Sequence, residues 1–433
     1  MATTAARPAA TRQARASRRV APPLEHRILV TATFCLLAFG AVMVYSASSP
    51  QSTFDGSGYG TGEFLIYLVA AAIGLVVMRG FEWYGLRLLT EPVLRVLLLG
   101  SFVLLLAVLA PGIGREVLGA RRWFAFGPLQ FQPSELMKLA LVLYLARYLA
   151  DHPRRLARPF REAVTPIAVI AGPAIVLIAA EPDLGTALVL FFTVLAMLVL
   201  GGLPLRYIGM IAAIAAGFGL VLVVAEPYQL ARLTAFLHPW SAGCSAGNCY
   251  QSVQGQIAIG SGGLSGVGLG NSVQKLFWLP EAQTDFILAV IGEELGLIGV
   301  FAVIVLYGMI GYAGLRTARR AATRHAKLLA AGLTSLILCQ GLLNIFVVLG
   351  IAPLTGVPLP FISYAPTNLI VMLASVGLLL GIARPAAREL RLVGDDGERA
   401  SSARSADAER ADRRRRDGRA RRAGAGRRGR AES

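Results

Sequence analysis

The sequence predicts an all-α integral membrane protein with about ten transmembrane helices and both termini in the cytoplasm. Three observations favour this fold class. Of the 433 residues, 55% are hydrophobic and only 15% are charged, and the mean hydropathy is +0.61. The apolar residues form repeated runs of about 20, the length that an α-helix needs to cross a bilayer. Lysine and arginine are concentrated in the connections on one side of these runs.

Ten apolar runs are the candidate membrane spans. The first resembles a signal peptide, because arginines precede it and small residues follow it. Its apolar stretch is longer than that of a typical signal peptide and nine runs follow, so we predict an uncleaved first helix. The eighth run is the longest, and a tilted helix accommodates its excess length. The runs are 28–48, 63–79, 92–110, 132–150, 163–181, 184–201, 207–225, 286–313, 328–351 and 364–383.

The basic residues set the orientation of these spans. With the N-terminus inside, the inner segments ahead of the C-terminal tail carry 20 lysines and arginines, and the outer segments carry five. Because inner connections are enriched in these residues, both termini are predicted to be cytoplasmic. The large connection at about 226–285, between spans seven and eight, is then extracytoplasmic. The five outer basic residues are Arg115, Arg121, Arg122, Arg232 and Lys275.

Most of the net charge of +17 lies in two tails. Residues 1–27 form a basic N-terminal tail with a charge of +5, and residues 384–433 form an arginine-rich tail of +7 that we predict to be disordered. Basic tails beside a membrane are typical of the cytoplasmic side, where they contact anionic lipid. We therefore predict membrane lipids as partners and no nucleic acid. The membrane domain between the tails occupies residues 28–383.

The four cysteines fall into two pairs. Cys35 and Cys339 lie in predicted spans, where a thiol is a small apolar group. Cys244 and Cys249 lie in the outer loop, which faces an oxidising compartment. We predict a disulfide between these two, with two free thiols as the alternative, because spacing alone does not guarantee the bridging geometry.

Carboxylates lie at the outer end of the eighth span and inside it. Asp285 precedes the span, and Glu293 and Glu294 lie within it, although a charge at the bilayer centre costs about 2.5–3.5 kcal/mol on insertion scales. Such residues are functional candidates by default. For Glu293 and Glu294, however, a buried structural hydrogen bond is the favoured interpretation.

Further charged groups fall at the same depth on other segments. Glu135 and Lys138 are three residues apart near the start of the fourth span, so they share one helix face. Asp183 lies in the turn before the sixth span. Each has a purely structural alternative: a neutralising ion pair for Glu135 and Lys138, and a helix N-cap for Asp183. Arg121 and Arg122 have lipid headgroups as their structural alternative.

Taken together, these charges predict a cavity open to the outer leaflet, with a base and cationic groups suited to an anionic, lipid-borne substrate. No ATP is available on that side, so a bond-forming reaction needs an activated donor such as a polyprenyl pyrophosphate. A divalent cation at the pyrophosphate is a possible cofactor, although no compact metal-ligand motif is present. The glycine-rich stretch GQIAIGSGGLSGVGLGNSVQKLFW predicts a re-entrant or surface loop with close backbone approach, and Gly292 with Gly296 predicts close helix packing.

Several long motifs carry a resemblance to a known family. They occur in order between residues about 25 and 384, and the chain resembles the SEDS family (shape, elongation, division and sporulation). Part of the fifth motif, GNSVQKLFWLPEA, favours the division branch of the family over the elongation branch. The motifs are AVMVYSASS, RRWFAFGPLQFQPSELMKLALVLYLA, EPDLGTALVL, YQLARLTAFLHPW, GLGNSVQKLFWLPEAQTDFILAVIGEELG and LPFISY.

The resemblance implies a ten-span fold related to GT-C glycosyltransferases. It also implies a peptidoglycan glycosyltransferase that polymerises lipid II at the outer membrane face during cell division, with undecaprenyl pyrophosphate as leaving group. The expected partners are a class B penicillin-binding transpeptidase and other divisome proteins, and the expected location is the septal part of the bacterial cytoplasmic membrane.

The resemblance also implies the roles of individual residues. Asp285 falls on the family's essential aspartate, the proposed general base, and Glu135, Lys138 and Asp183 fall on positions tied to activity. Lys138 and nearby arginines are expected to hold the departing pyrophosphate. Predicted substrate contacts come from Arg121, Arg122, Lys275, Thr284, Ser363 and Tyr364.

One segment departs from the family pattern. Where the family usually continues Gly-Gly-Ser-Ser after Ser363-Tyr364, this chain has Ala365-Pro366-Thr367-Asn368. Pro366 is suited to the first turn of the tenth span. The departure keeps a catalytically silent scaffold as an alternative function, beside a lipid II flippase and an elongation role within the family. A transporter is expected to place its key charges at the midplane, whereas these lie at the outer end.

Overall fold

The computed structural model describes residues 23–54, 61–117, 120–126, 129–225, 230, 233–234, 236–241, 247 and 249–384. The predicted tails lie almost entirely outside these ranges, so their predicted disorder stays a prediction. The helices of the described residues are α1 Leu24–Phe54, α2 Thr61–Leu88, α3 Glu91–Leu109, α4 Pro133–Asp151, α5 Phe160–Ala180, α6 Leu184–Gly201, α7 Leu205–Ala225, α8 Tyr250–Gly262, α9 Ile287–Arg320, α10 Arg324–Val348 and α11 Pro366–Ala383.

Each of the ten predicted spans coincides with one long helix, which confirms a mainly helical, multi-pass membrane architecture. Within the described residues, eight helices are long and apolar enough to cross a membrane, namely α1, α2, α3, α5, α6, α9, α10 and α11. The charged side chains of α4 and the shorter apolar stretch of α7, Leu205–Val221, set these two helices apart. The total of ten spans therefore stays a prediction.

Small residues bring the helices of the bundle together. α11 packs along α2, α9 lies between α1 and α10, and α10 also contacts α4 and α6. A Cβ at Gly377 of α11 would lie 2.3 Å from the carbonyl oxygen of Met78, and one at Gly314 would lie 2.1 Å from Thr334 Oγ1. Only glycine permits this approach, as is typical of helix pairs in membranes.

A small antiparallel sheet between α3 and α4 departs from the predicted all-α fold. Its strands are β1 Arg115–Val117, β2 Ala120–Phe126 and β3 Leu129–Phe131, in the order β1-β2-β3. Phe124 and Phe131 are partners in the β2–β3 register. α4 begins at Pro133, two residues after β3, so the sheet fixes where this helix starts. Proline suits that first position because its missing N–H has no partner in a helix anyway.

The outer loop predicted at about 226–285 contains the additional helix α8, which the sequence analysis interpreted as part of a glycine-rich loop. α8 packs against α9. A Cβ at Gly262, the last residue of α8, would lie 1.9 Å from the carbonyl oxygen of Gly292. The predicted close backbone approach is therefore present.

α9 is broken at Gly296, whose φ of 66° and ψ of −163° are not helical. Backbone groups of the glycine-rich segment 263–268 fill the break. The amides of Val267 and Gly268 donate to the carbonyls of Glu293 and Glu294 at 3.0 Å each, and the amide of Leu297 donates to Gly263 at 2.9 Å. Gly296 therefore lies at a break in the helix and not on the predicted helix-packing face. The backbone groups that the break frees are hydrogen-bonded, as a membrane environment requires.

The N-termini of α4, α6 and α11 meet at one end of the bundle. Gln132, just before α4, donates through Nε2 to Asp183 Oδ2 at 3.2 Å and through its backbone N to Thr367 Oγ1 at 3.3 Å. We call this end the outer end, after the orientation that the basic residues predict. Cys249 is disulfide-bonded, whereas Cys35 and Cys339 are free; Cys244 lies outside the described residues, so the Cys244–Cys249 pairing stays a prediction.

Candidate active site at the outer end of the bundle

Asp285 lies two residues before α9 and is partly buried. Its backbone oxygen accepts a hydrogen bond from Asn344 Nδ2 at 2.8 Å, and Asn344 also donates to the carbonyl of Val357 at 2.7 Å. The carboxylate lies against the backbone of Gly356, where a Cβ would be 3.1 Å from Asp285 Oδ2 and where φ is +64°. The positive φ favours glycine at this position, and a side chain there would crowd the Asp285 carboxylate. The predicted base is therefore held between α10 and the segment that precedes α11.

Glu135 and Lys138 form a buried ion pair on α4. Lys138 Nζ lies 2.9 Å from Glu135 Oε1 and donates to Gln340 Oε1 of α10 at 2.6 Å. Asn368 Nδ2 of α11 donates to Glu135 Oε2 at 2.7 Å. Both charged side chains are fully buried. The pair is therefore hydrogen-bonded on both sides, the arrangement that a buried ion pair needs to offset its desolvation, and the Lys138 ammonium group is bonded within the protein interior.

Asp183 is the N-cap of α6. Its Oδ1 accepts a hydrogen bond from the backbone N of Thr186 at 3.0 Å, and its Oδ2 accepts from Gln132. This capping confirms the structural interpretation of Asp183 that the sequence left open. Because the positive end of the helix dipole favours an anion, the buried carboxylate is stabilised at this position.

Glu181, two residues before Asp183, is a buried acid that the sequence analysis did not select. It is fully buried, and neither carboxyl oxygen has a hydrogen-bond partner among the described residues. Desolvation raises the pKa of Glu181 to about 8, with a further contribution from Asp183 and an opposing one from Arg122. The sequence feature that could have identified Glu181 is the turn Glu-Pro-Asp between two apolar runs, because it puts two acids in one short connection.

Strand β2 carries both predicted anion-binding arginines, and Arg122 contacts the turn that contains Glu181. Arg122 Nε donates to the carbonyl of Glu181 at 2.8 Å, and its Nη2 donates to the carbonyl of Pro182. The guanidinium also lies over the ring of Trp123, 5.9 Å from its centroid. Arg121 and Arg122 are both partly exposed. Among the predicted cationic groups, these two arginines are partly exposed, whereas Lys138 and Lys275 are buried.

The Lys275 side chain is buried and paired with Glu294 rather than exposed at the surface. Its Nζ lies 2.8 Å from Glu294 Oε1 and donates to Ser46 Oγ of α1 at 2.9 Å, and Ser46 in turn donates to Glu294 at 2.7 Å. The neighbouring Glu293 accepts hydrogen bonds from Ser272 Oγ and from the backbone of residues 273–274. The structural interpretation of Glu293 and Glu294 is thereby confirmed, and they anchor the outer loop to α9.

The other predicted substrate residues surround the Asp285 loop. Thr284 Oγ1 donates to Glu281 Oε2 at 2.9 Å, and the backbone N of Tyr364 donates to the carbonyl of Gln283 at 2.9 Å. Ser363 is buried and its Oγ accepts from the backbone N of Leu359. Desolvation, and then Glu63, raise the pKa of the Tyr364 phenol to about 12, so this side chain is a neutral hydrogen-bond donor.

The segment that departs from the family pattern, residues 365–368, is bonded to its neighbours at this end of the bundle. α11 begins at Pro366, as the sequence predicts, and the preceding Ala365 accepts the first helical hydrogen bond through its carbonyl oxygen. Thr367 Oγ1 donates to the carbonyl of Gln130 of β3 at 2.8 Å. Together with the contact of Asn368 to the buried ion pair, this joins α11 to the sheet and to α4.

The described side chains do not supply a complete ligand set for the predicted divalent cation. Within the described residues, no group of three His, Cys, Asp or Glu side chains comes together to hold a metal ion. Asp183 has both carboxyl oxygens engaged by hydrogen bonds, and Glu181 is fully buried.

Fold and site define a multi-pass helical membrane protein whose candidate site residues lie at one end of the bundle. The family described as "Cell cycle protein" (FtsW/RodA/SpoVE) matches residues 27–388. The chain therefore belongs to this family, and the resemblance to the SEDS family is confirmed.

Individual relatives cover nearly the same part of the chain. It is 36% identical to "Stage V sporulation protein E" of Bacillus subtilis (strain 168) over 359 residues, which is 82% of this chain and 96% of the relative. It is 40% identical to "Probable peptidoglycan glycosyltransferase FtsW" of Legionella pneumophila over 363 residues, 82% of this chain and 89% of the relative.

A solved structure shares the fold. It is a chain described under "Structural coordination of polymerization and crosslinking by a peptidoglycan synthase complex", with a TM-score of 0.68 and 29% identity over 84% of this chain and 98% of that one.

Proposed function

We propose that this protein is a peptidoglycan glycosyltransferase that polymerises lipid II at the outer face of the cytoplasmic membrane. The observation that carries the proposal is the position of Asp285, partly buried at the outer end and held by Asn344 against Gly356. The relative from Legionella, with 40% identity, is named as a probable enzyme of this class, which supports the assignment.

The proposed reaction is a displacement at the anomeric carbon of one lipid-linked sugar by the 4-hydroxyl of another. Asp285 accepts the hydroxyl proton as the new glycosidic bond forms, and the bond to undecaprenyl pyrophosphate breaks with its electron pair. A carboxylate within hydrogen-bond reach of the attacking hydroxyl is suited to this role. The charge that develops on the leaving pyrophosphate needs cationic groups close to it.

We assign the leaving-group contacts to Arg121 and Arg122, since both are partly exposed at the outer end. Glu135 and Lys138 are fully buried and bonded to α10 and α11, so we assign them a positioning role in this conformation. Lys275 likewise positions the loop that leads to Asp285 through its contact with Glu294. Thr284 directly precedes Asp285, and the backbone of Tyr364 is bonded to Gln283 of the same loop. These two residues are the candidates for contacts to the sugar.

We further propose that the protein acts in cell division together with a class B penicillin-binding transpeptidase and other divisome proteins at the septum. A structure that shares this fold concerns a complex that coordinates polymerization and crosslinking, which supports a crosslinking partner. A relative with the sporulation name matches the same share of the chain, 82%, at 36% identity, so the division role rests on the motif GNSVQKLFWLPEA.

In the test, the purified protein is incubated with labelled lipid II as substrate, with and without the transpeptidase partner. The products are then resolved by length. We expect glycan chains from the wild type and at least about 100-fold less product from Asp285→Asn, the effect of a lost general base. The matched control is Glu281→Gln, which removes an exposed charge from the same loop but keeps an oxygen that can accept the hydrogen bond of Thr284, so it is expected to keep its activity.

Two outcomes would contradict the proposal in different ways. Equally long chains at an equal rate from Asp285→Asn would show that this residue is not the base. No chains from the wild type, with the partner present and the substrate polymerised by a control enzyme, would favour the scaffold function.

A further inference from the structure

The segment between α8 and the Asp285 loop contains six exposed apolar side chains within residues 264–277. Leu264 is 73% exposed, and the others are between 44% and 58% exposed. We call this set the loop surface; it consists of Leu264, Val267, Leu269, Val273, Leu276 and Phe277. Isolated exposed apolar residues are common, but this many on one connecting segment indicates a contact with something apolar.

The loop surface carries no charge. Between residues 250 and 280 the only charged residue is Lys275. Its side chain points away from solvent into the ion pair with Glu294, and it is only 8% exposed. A loop in water is normally rich in charged side chains, so its composition favours an apolar environment.

The first residue of the loop surface, Leu264, adjoins the exposed apolar side of α9. The backbone N of Ile298 donates to the carbonyl of Leu264, and that of Leu297 donates to the carbonyl of Gly263. Leu297, Ile298 and Phe301 are themselves strongly exposed. These side chains belong to a helix that crosses the membrane, so Leu264 adjoins an apolar surface whose neighbour is lipid.

Helix geometry places this junction at the boundary of the hydrocarbon core. From Ile298 to Arg316 near the inner end of α9 there are 18 residues, or about 27 Å of helix. From Arg324 at the start of α10 to Asn344, which binds Asp285, there are 20 residues, or about 30 Å. The hydrocarbon core is about 30 Å thick. The two helices therefore put Leu264, at the start of the loop surface, and the Asp285 backbone close to the outer boundary.

We propose that the loop surface is seated in the outer leaflet, with its apolar side chains among the upper acyl chains. Trp278, which is exposed and directly follows this set, then lies at the headgroup level that tryptophan favours. The loop surface is fixed to the protein by Glu293, Glu294 and Lys275. The extracytoplasmic loop that leads to the catalytic aspartate is thus anchored in lipid at one edge and bonded to α9 at the other.

The proposal can be tested by spin labels in lipid nanodiscs, without substrate and independently of the glycosyltransferase assignment. In a background with Cys35→Ala and Cys339→Ala, labels are placed by Leu269→Cys and by Phe277→Cys. Ile304→Cys on the exposed side of α9 is the lipid reference, and Glu281→Cys on the same outer loop is the water reference. Accessibility to oxygen, which partitions into lipid, is compared with accessibility to a water-soluble nickel chelate.

We expect the ratio of oxygen to nickel accessibility at both test sites to be several times that at Glu281→Cys and close to that at Ile304→Cys. A ratio like that of the water reference would overturn the proposal. Low accessibility to both reagents at both sites would also overturn it, because the loop surface would then be covered by protein.

A second measurement uses the unlabelled chain and does not depend on cysteine variants. The fluorescence that is lost in Trp278→Phe is the contribution of Trp278. We expect lipids brominated near the headgroup end of the acyl chains to quench this contribution strongly and iodide in the water to quench it weakly. The reverse order would contradict insertion of the loop surface.

Discussion

Gln340 and Asn344 lie one turn apart on the same face of α10, and both side-chain amides donate to the backbone of residues 357–358 ahead of α11. Their other contacts diverge. Gln340 accepts a hydrogen bond from Lys138, whereas Asn344 donates to the backbone of Asp285. Residues four apart on a helix are neighbours. A single helix face therefore joins the buried ion pair of α4 to the proposed base.

This relationship predicts the effect of removing Asn344. Asn344→Ala deletes both hydrogen bonds and frees the Asp285 backbone from α10, without altering the carboxylate itself. We expect the polymerisation rate to fall about tenfold, which corresponds to about 1.4 kcal/mol in the barrier. The rate is measured with labelled lipid II, with the surface variant Asn271→Ala as control. An unchanged rate would mean that α10 does not position Asp285.

The buried ion pair predicts a strong dependence of stability on both partners. Lys138→Met leaves the Glu135 carboxyl group buried without its cationic partner, and breaking such a pair costs about 3–5 kcal/mol. We expect a large drop in the thermal midpoint in detergent. The double variant Glu135→Gln with Lys138→Met removes both charges, so it should recover most of the stability.

The same double variant separates structure from function. If the pair positions the site, the recovered protein should still polymerise lipid II poorly, because the contacts to Gln340 and Asn368 are altered. Full activity in the stable double variant would show that the pair only neutralises charge.

Glu181 predicts a pH dependence of stability. In the folded protein its pKa is raised from 4.5 to about 8, so folding takes up a proton between these two values. Its contribution to stability is complete below pH 4.5 and is lost as the pH rises through about 8. We expect the thermal midpoint to fall between pH 5 and pH 9, and Glu181→Gln to flatten this fall. Parallel curves for the wild type and Glu181→Gln would contradict the assignment, and Glu281→Gln is the exposed control.

Local features of this site could be predicted from sequence, and long-range ones could not. The three-residue spacing of Glu135 and Lys138 predicts their contact, and the position of Pro366 predicts the start of α11. The partners Gln340 and Asn368 lie more than 200 residues from that pair, so only the packing of α4, α10 and α11 brings them together. No periodicity in the sequence carries that information.

Burial was the property that the sequence left most uncertain. Lys275 and Lys138 are both lysines beside apolar runs at the outer end, and each was expected to meet substrate. In the structure Glu294 and Glu135 neutralise them in the interior. Glu181 shows the opposite case, since its two carboxyl oxygens are buried without a partner among the described residues. Whether a charge is paired inside or exposed depends on the neighbouring helices, which pattern analysis does not place.

The contacts of Asn368 predict the effect of exchanging residues 365–368 for the usual family sequence. Replacing Ala365-Pro366-Thr367-Asn368 by Gly-Gly-Ser-Ser keeps a hydroxyl at position 367, where Thr367 contacts β3, but removes the amide that donates to Glu135. We expect turnover to change by less than about tenfold, or 1.4 kcal/mol in the barrier. A serine hydroxyl or a water in the vacated space can still donate to the carboxylate. Asn368→Leu offers no donor and fills that space, so it should lower both stability and turnover more than Asn368→Ser does. Equal effects of Leu and Ser would contradict a role for this hydrogen bond, and activity that arises only after the four-residue exchange would favour the scaffold function.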